Sequence, residues 1–170
     1  MVSTLQPFPG ISLRSLALLL ACIALFGCST SHKITEREAV SPELVQLEQR
    51  VHQLVNQYRI SRNLPPLTPN KIITQQARIH SHAMAARKTT FGHDGFRKRV
   101  KSISASLPHK TAAENVAYNR GYSDCARQAV QEWLKSAQHY KNIRGNYRLT
   151  GIGVAKNQDG GYYFTQIFWR

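Results

Sequence analysis

Acidic side chains are scarce in this sequence. Its 170 residues include 9 Asp and Glu against 23 Lys and Arg, which gives a formal net charge of +14 and an isoelectric point near 10.2. Such a surface favours anionic partners, for example acidic lipid or lipopolysaccharide headgroups, wall polymers or nucleic acid. The alternative interpretation is a soluble basic protein, because net charge alone identifies no specific partner.

Glycine and proline are also few, at 10 and 7 residues, whereas 42% of the residues are hydrophobic. This composition is that of a folded protein. The length suits one domain that buries its own hydrophobic core.

A long hydrophobic run is absent. Residues 15–26 are uncharged and follow Arg14, but a membrane span needs roughly 20 apolar residues. The length and flanks are typical of a secretory signal. The run ends in LFGC, which resembles a bacterial lipoprotein signal in which Cys28 is lipidated and becomes the mature N-terminus. The alternatives to lipidation are ordinary cleavage of the signal and an uncleaved membrane anchor. Ser29, the residue after Cys28, resembles the signal that directs a lipoprotein to the outer membrane.

Cysteines are too few for a disulfide in the mature domain. Cys22 leaves with the signal and Cys28 takes the lipid, so only Cys125 remains, and we interpret it as a small buried hydrophobe. Residues 29–41 lack hydrophobic periodicity and predict a tether. The predicted organisation is a signal peptide at 1–27, a tether at 28–41 and a domain at 42–170.

Helical periodicity recurs in four parts of the domain. The pattern predicts helices from residue 41 towards Asn63, from 68 to about 88, over 95–102 and over 123–139, with Ser41, Thr68 and Ser123 capping the first, second and fourth. His80 falls on the apolar face of the second helix, so we interpret it as a hydrogen-bonded core histidine. His82 lies too far around that helix to share a metal ion with it.

Strand-forming residues dominate the rest of the domain. Residues 113–119 predict a short strand, and residues 147–156 and 160–170 predict two strands joined at Asp159–Gly160. The order of elements predicts an α+β fold, with helices against an antiparallel sheet that ends in a C-terminal hairpin.

Five stretches then occur in the order of one family: FGHDGFRKRV, AENVAY, EWLKSAQHYKNI, TGIGVAKN and YYFTQIF. They resemble the bacterial branch of the CAP superfamily (cysteine-rich secretory proteins, antigen 5 and pathogenesis-related 1; SCP-like). The resemblance covers roughly residues 43–170 and implies an α-β-α sandwich. It also implies a cleft that gathers two histidines and two acids. Some members bind zinc there, others bind lipids, sterols or peptides, and most have no established enzymatic reaction.

The resemblance assigns the cleft residues position by position. His93 matches the first cleft histidine and Glu114 the first cleft glutamate. The second acid of the eukaryotic pattern falls on Ser136. The second histidine of the eukaryotic pattern has no counterpart near Thr150–Gly151. The bacterial branch instead has a histidine just past the helix, and His139 matches that one. The implied cleft set is therefore reduced to His93, Glu114 and His139.

This reduced set is open to three interpretations. Two imidazoles and a carboxylate suit zinc and leave a position for water, so the same residues are the predicted metal ligands. A metal-bound water would permit hydrolysis. The residues equally suit a hydrogen-bonded network in which Glu114 orients an imidazole. The sequence has neither an HExxH nor a GxSxG pattern, and Cys125 has no base beside it.

Cations follow His93 closely, at Arg97, Lys98, Arg99 and Lys101. The family pattern hints at a structural ion pair for Arg99, while the other three either form a solvated helix face or bias the cleft towards anionic ligands. Nucleic acid is not predicted as a partner, because no stacking motif is interleaved with the cations.

These observations predict a lipid-anchored binding or interaction module of the cell envelope. Cys28 attaches it to a lipid membrane, predicted to be the outer membrane, with the domain facing the periplasm or the surface. The expected ligand is an anionic envelope polymer, a lipid or a peptide, and zinc is the candidate cofactor. The alternative function is a zinc-dependent hydrolase or peptidase that uses His93, Glu114 and His139.

Overall fold

A four-stranded sheet lies at the centre of the computed structural model, which describes residues 41–108 and 110–170. The predicted signal peptide, the lipidation site Cys28 and residues 29–40 of the predicted tether lie outside these residues. In chain order the elements are α1 (Pro42–Ser61), β1 (Thr68–Pro69), α2 (Lys71–Ala85), α3 (Phe96–Ser104), β2 (Ala112–Asn119), α4 (Cys125–Lys135), α5 (Ala137–Arg144), β3 (Leu149–Lys156) and β4 (Tyr162–Trp169).

The strands lie in the order β1-β3-β4-β2. β3 and β4 form the predicted C-terminal hairpin, and β2 pairs antiparallel with β4 along its whole length. The two-residue strand β1 pairs parallel with the start of β3. The expectation of an antiparallel sheet is thus confirmed for the three long strands.

Helices cover both faces of the sheet, because side chains alternate along its strands. On β4, Phe164 and Phe168 pack with α1, α4 and α5, whereas Ile167 and Trp169 pack on the other face with α2 and α3. The α-β-α sandwich is therefore confirmed, with one hydrophobic cluster on each side of the sheet.

Two glycines let α2 approach the sheet closely. A Cβ added at Gly151 would lie 2.2 Å from the backbone nitrogen of Thr74, and one added at Gly153 would lie 2.2 Å from that of Arg78. Between them on β3, Ile152 turns to the opposite face and joins the other cluster. The helix backbone therefore rests directly on the strand at the two glycines.

The predicted start of α2 is wrong by two residues. The amide of Thr68 donates to Arg148 O at 2.8 Å and the amide of Asn70 donates to Thr150 O at 2.9 Å, so this segment pairs with β3 before the helix begins. Asn70 Oδ1 instead accepts from the amides of Ile72 and Ile73 and caps the helix. Sheet pairing has displaced the expected cap at Thr68.

The predicted helix over 123–139 begins and ends differently. Asp124, not Ser123, is the cap, because its Oδ1 accepts from the amide of Arg127 at 2.9 Å. The helix then breaks at Ser136, whose backbone is extended (φ −92°, ψ 119°), and α5 continues in a new direction. At the first helix the start at Pro42 is confirmed, but the Ser41 side chain makes no capping hydrogen bond.

An ion pair covers the outer edge of β3 beyond the short strand β1. Arg78 holds both carboxylate oxygens of Glu48, at 2.8 and 2.5 Å, and Oε1 of Glu48 accepts from the amide of Val154 at 3.3 Å. The Glu48 side chain is 8% exposed. A backbone N–H at the edge of the sheet is thereby satisfied by a side chain.

The helices that the structure describes are too short or too polar to cross a membrane. None of those in residues 41–108 and 110–170 combines the length and apolar composition needed to span a bilayer.

Candidate functional site

A buried ion pair anchors the candidate site. Arg99 of α3 donates from Nε to Oε2 of Glu114 at 2.8 Å and from Nη2 to Oε1 at 2.7 Å. The Arg99 and Glu114 side chains are 9% and 1% exposed. Bidentate, charge-assisted hydrogen bonds of this kind are among the strong hydrogen bonds in proteins. The structural ion pair predicted for Arg99 is confirmed, and it joins α3 to strand β2.

His93 adds a third group to this pair. Its Nδ1 lies 3.1 Å from Oε1 of Glu114, and because a carboxylate only accepts, Nδ1 is the donor. The His93 side chain is 49% exposed, whereas the carboxylate beneath it is buried. The strand glutamate therefore sets the tautomer and position of an accessible loop imidazole.

The loop that presents His93 is fixed at several points. Nε2 of His80, a buried residue of α2, donates to Gly92 O at 2.8 Å. Nη1 of Arg99 donates to Asp94 O at 2.7 Å. Gly92 has a φ of 148°, which favours glycine. The core interpretation of His80 is confirmed, and burial lowers the pKa of its imidazole.

His139 comes to the same place from α5. Its ring centroid lies 6.2 Å from that of His93, with an angle of 52° between the ring planes. Asn115 Nδ2 donates to His139 O at 3.2 Å, and Asn142 Nδ2 donates to Asn115 Oδ1 at 2.8 Å. Two buried amides thus fasten the helix turn of His139 to β2. The break at Ser136 makes this docking possible.

The two histidines line one cleft of about 620 Å³ between the loop after α2, strand β2 and helices α4 and α5. The residues around it are mostly apolar or aromatic. The lining consists of Phe91, Gly92, His93, Val116, Ala117, Tyr118, Glu132, Trp133, Ser136, His139 and Tyr163. The carboxylate of Glu114 supports this cleft from behind, through His93.

Burial shapes the chemistry of the cleft. Desolvation lowers the pKa of His139, and the neighbouring His93 acts in the same direction. The neutral imidazole is therefore the favoured form of His139 at neutral pH. Trp133 forms the floor of the cleft. Its Nε1 donates to Val116 O at 2.8 Å, and its side chain is almost wholly buried.

Several lining residues were not foreseen from the sequence, among them Phe91, Tyr118, Glu132 and Tyr163. For Phe91 and Tyr118 the available signal was nearness in the chain to a predicted cleft residue. Phe91 lies two residues before His93, and Tyr118 lies near the end of the strand that contains Glu114. Nothing near Tyr163 points to the cleft, because it arrives through the pairing of β4 with β2.

Cys125 stands apart from this chemistry. It is a buried free cysteine whose Sγ donates to Tyr122 O at 3.2 Å, and burial raises the pKa of its thiol. A thiol of this kind stays protonated and is a poor nucleophile. The interpretation as a buried hydrophobe is confirmed.

The predicted metal ligands meet only in part. His93 contacts Glu114 and lies beside His139, but both Glu114 oxygens accept hydrogen bonds from Arg99. Across the described ranges, no three or more His, Cys, Asp or Glu side chains are grouped so that they could hold a metal ion. Nε2 of His93 and the imidazole of His139 are the predicted ligands left to coordinate a metal ion. Zinc binding stays a prediction.

An α-β-α sandwich in which a buried strand glutamate holds a loop histidine at a cleft defines a class of protein modules. Comparison with known proteins gives the same result. Residues 52–168 match the family model described as CAP, the Cysteine-rich secretory protein family. This chain belongs to the CAP family.

Three relatives illustrate the match. The chain is 28% identical over 144 residues to the uncharacterized protein YkwD of Bacillus subtilis, covering 82% of this chain and 53% of that protein. It superimposes on an extracellular SCP-domain protein of Bacillus anthracis with a TM-score of 0.65 and 26% identity, over 76% of this chain and 44% of the other. It shares the fold of an outer surface protein of Borrelia burgdorferi, with a TM-score of 0.61 and 16% identity, over 74% and 92% of the two chains. The chain thus spans about half the length of the Bacillus proteins it matches.

Proposed function

We propose that this protein is a binding module of the cell envelope and that the cleft between His93 and His139 is its ligand site. The observation that supports this most is the construction of the cleft. Its volume of about 620 Å³ and its mainly apolar lining with a few polar groups are typical of ligand pockets. The ordered backing of Glu114 and Arg99 gives it a preformed shape.

Binding is favoured over catalysis because the reactive groups are already engaged. Both oxygens of Glu114 already accept hydrogen bonds from Arg99, so the carboxylate is not positioned to take a proton from a substrate. Cys125 is buried with a raised thiol pKa and does not line the cleft. The residues around the cleft supply shape and hydrogen bonds rather than an activated nucleophile.

In this proposal Cys28 anchors the chain to a lipid membrane. The apolar run before LFGC supports it, and two of the relatives are described as extracellular or outer surface proteins. The basic surface of the domain then lies near acidic envelope polymers and lipid headgroups, which attract it electrostatically. The outer membrane is the proposed location, and nucleic acid is not a proposed partner.

Blocking the cleft tests the binding function. The full chain, purified in a mild detergent and incubated with a solubilised envelope extract, is expected to retain an added mass in native mass spectrometry. Ser136→Trp places a large ring where Ser136 lines the cleft, and we expect it to lose at least 90% of that mass. Ser106→Trp, at an exposed loop position, is the matched control and should retain it. An equal added mass on all three proteins would place the ligand elsewhere.

A second candidate function is zinc-dependent hydrolysis or peptide cleavage. The observation in its favour is the hydrogen bond from His93 Nδ1 to Glu114, because zinc-binding histidines usually donate their other N–H to such a group. In this proposal His93 and His139 hold the zinc ion and Glu114 keeps His93 in place. A bound zinc would lower the pKa of a water molecule towards 7 and supply the nucleophile.

Zinc titration separates the two functions. If zinc is a resident cofactor, calorimetry of the full chain will show stoichiometric binding, and the His93→Ala/His139→Ala variant will bind at least tenfold more weakly. His82→Ala removes an exposed imidazole of α2, outside the cleft. This variant is the control and should bind zinc like the wild type. Equal heats in the wild type and the double variant would exclude the zinc-dependent function and leave the binding module.

A further inference from the structure

The charge of the cleft is opposite to that of the protein. The sequence has 23 Lys and Arg against 9 Asp and Glu, yet none of the described residues that line the cleft is Lys or Arg. Its one carboxylate is that of Glu132. The nearby guanidinium of Arg99 is neutralised by its bidentate pair with Glu114. An anionic ligand would find no direct counter-charge here.

Aromatic rings form one side of this cleft. Tyr118 and Phe91 both pack on Tyr163, with centroid distances of 4.8 and 6.3 Å. The exposed fractions of Phe91 and Tyr118 are 55% and 39%. Tyr118 also lies over Gly161, where an added Cβ would come within 2.5 Å of its ring. Tyr163 thus joins the two other rings, which leave aromatic surface open towards a ligand.

Glu132 of α4 supplies the negative charge. Its Oε1 accepts from Gln128 Nε2 at 2.8 Å, which holds the carboxylate in place without neutralising it. Within the part of the chain that the structure describes, no Lys or Arg forms an ion pair with Glu132. A carboxylate and electron-rich aromatic faces in one pocket are the groups that recognise an alkylated ammonium ion.

We propose that the cleft binds an organic ammonium ion, with the cation against Tyr118 and Tyr163 and with Glu132 as its counter-charge. This inference rests on the proposed binding function and names the chemical class of the ligand. The trimethylammonium group of choline has this chemistry, both as a free molecule and within a lipid headgroup.

Choline and its neutral isostere 3,3-dimethyl-1-butanol test the charge preference, since the two differ mainly in the charged nitrogen. The chain has two tryptophans, so the indole region of a ¹H–¹⁵N spectrum contains two signals. Trp133 forms the floor of the cleft, whereas Trp169 lies in the cluster on the other side of the sheet. We expect choline to shift the Trp133 signal of the full chain, in a neutral maltoside detergent, and to leave Trp169 unchanged.

Matched variants identify the groups that recognise the cation. Tyr118→Leu and Glu132→Gln are each expected to weaken choline binding about fivefold or more. Tyr122→Leu removes an exposed tyrosine outside the cleft and Glu43→Gln an exposed carboxylate, and both should bind like the wild type. Glycerophosphocholine, added separately, shows whether a lipid headgroup is accepted as well as free choline.

The outcomes distinguish this inference from the function on which it rests. A Trp133 shift as large with the isostere as with choline would overturn the charge preference and still support a binding cleft. No shift with choline would also overturn the inference, while the mass-spectrometric comparison of Ser136→Trp with the wild type would still decide the binding function. Unchanged choline binding by both Tyr118→Leu and Glu132→Gln would contradict the assigned groups.

Discussion

Replacement of Arg99 by methionine is expected to lower the free energy of unfolding by about 3–5 kcal/mol. The Glu114 carboxylate is 1% exposed and receives two hydrogen bonds from Arg99. Methionine fills similar space but leaves this charge buried without its cation. Urea unfolding followed by circular dichroism measures the change.

Two further variants serve as controls for the expected loss of stability. Arg87→Met breaks an ion pair with Asp159 whose side chains are 81% and 53% exposed, and we expect it to cost less than about 0.5 kcal/mol. The double variant Arg99→Met/Glu114→Leu removes both buried charges and should recover at least half of the lost stability. A loss below about 1 kcal/mol for Arg99→Met alone would mean that the pair is not a support of the fold.

Substitution of Gly153 by alanine is expected to destabilise the protein by about 2–3 kcal/mol. Alanine is ordinarily favoured over glycine within a strand, so the expected loss comes from contact alone. The added methyl would lie 2.2 Å from the backbone nitrogen of Arg78 and 2.3 Å from the carbonyl carbon of Ala77. No side-chain rotation relieves a clash with helix backbone, and α2 must therefore move away from the sheet. Thermal and urea unfolding both report the effect.

Gly161→Ala provides the matched control for this substitution. Its added methyl would meet the far end of the Tyr118 side chain, at 2.5 Å from the ring, and that ring is 39% exposed and can turn into solvent. We expect a loss below about 1 kcal/mol. Equal losses for the two variants would show that backbone contact between α2 and β3 is not the determining feature.

The sequence predicted the elements whose determinants are local. Helical periodicity placed α1, and Pro42 at the first helical position fixed its start. Alternation and the Asp159–Gly160 turn predicted the hairpin, in which Gly160 has a φ of 79°. These features depend on neighbours within a few residues, so the local sequence is enough to predict them.

Features that depend on distant residues could not be predicted. Thr68 resembles a helix cap, but the backbone of Arg148 and Thr150 draws it into the sheet. The helix over 123–139 has no proline or glycine at its middle, yet it breaks at Ser136. Beyond the break, Asn142 reaches Asn115 and Ile143 enters the core. Tertiary contacts outweighed the local pattern at both places.

The candidate site likewise has one part that was predicted from the sequence and another that depends on contacts between distant residues. The family resemblance grouped His93, Glu114 and His139, and the structure places His93 against Glu114 and beside His139. Sequence spacing could not reveal that Arg99 occupies both oxygens of Glu114, because two elements must dock before the groups meet. The aromatic side of the cleft needs the pairing of β2 with β4, which joins Tyr118 to Tyr163. That Tyr118 and Tyr163 bind a ligand stays a prediction.

The Glu48–Arg78 pair has a consequence for how molecules of this protein meet one another. An open strand edge invites a strand from a neighbouring molecule and so seeds aggregation. At the outer edge of β3 the carboxylate of Glu48 already accepts from the amide of Val154, and Arg78 holds it there. A strand arriving from another copy would have to displace this amide contact and bury a charged pair. The sheet thus stops growing at β3, and another copy of the protein cannot extend it there.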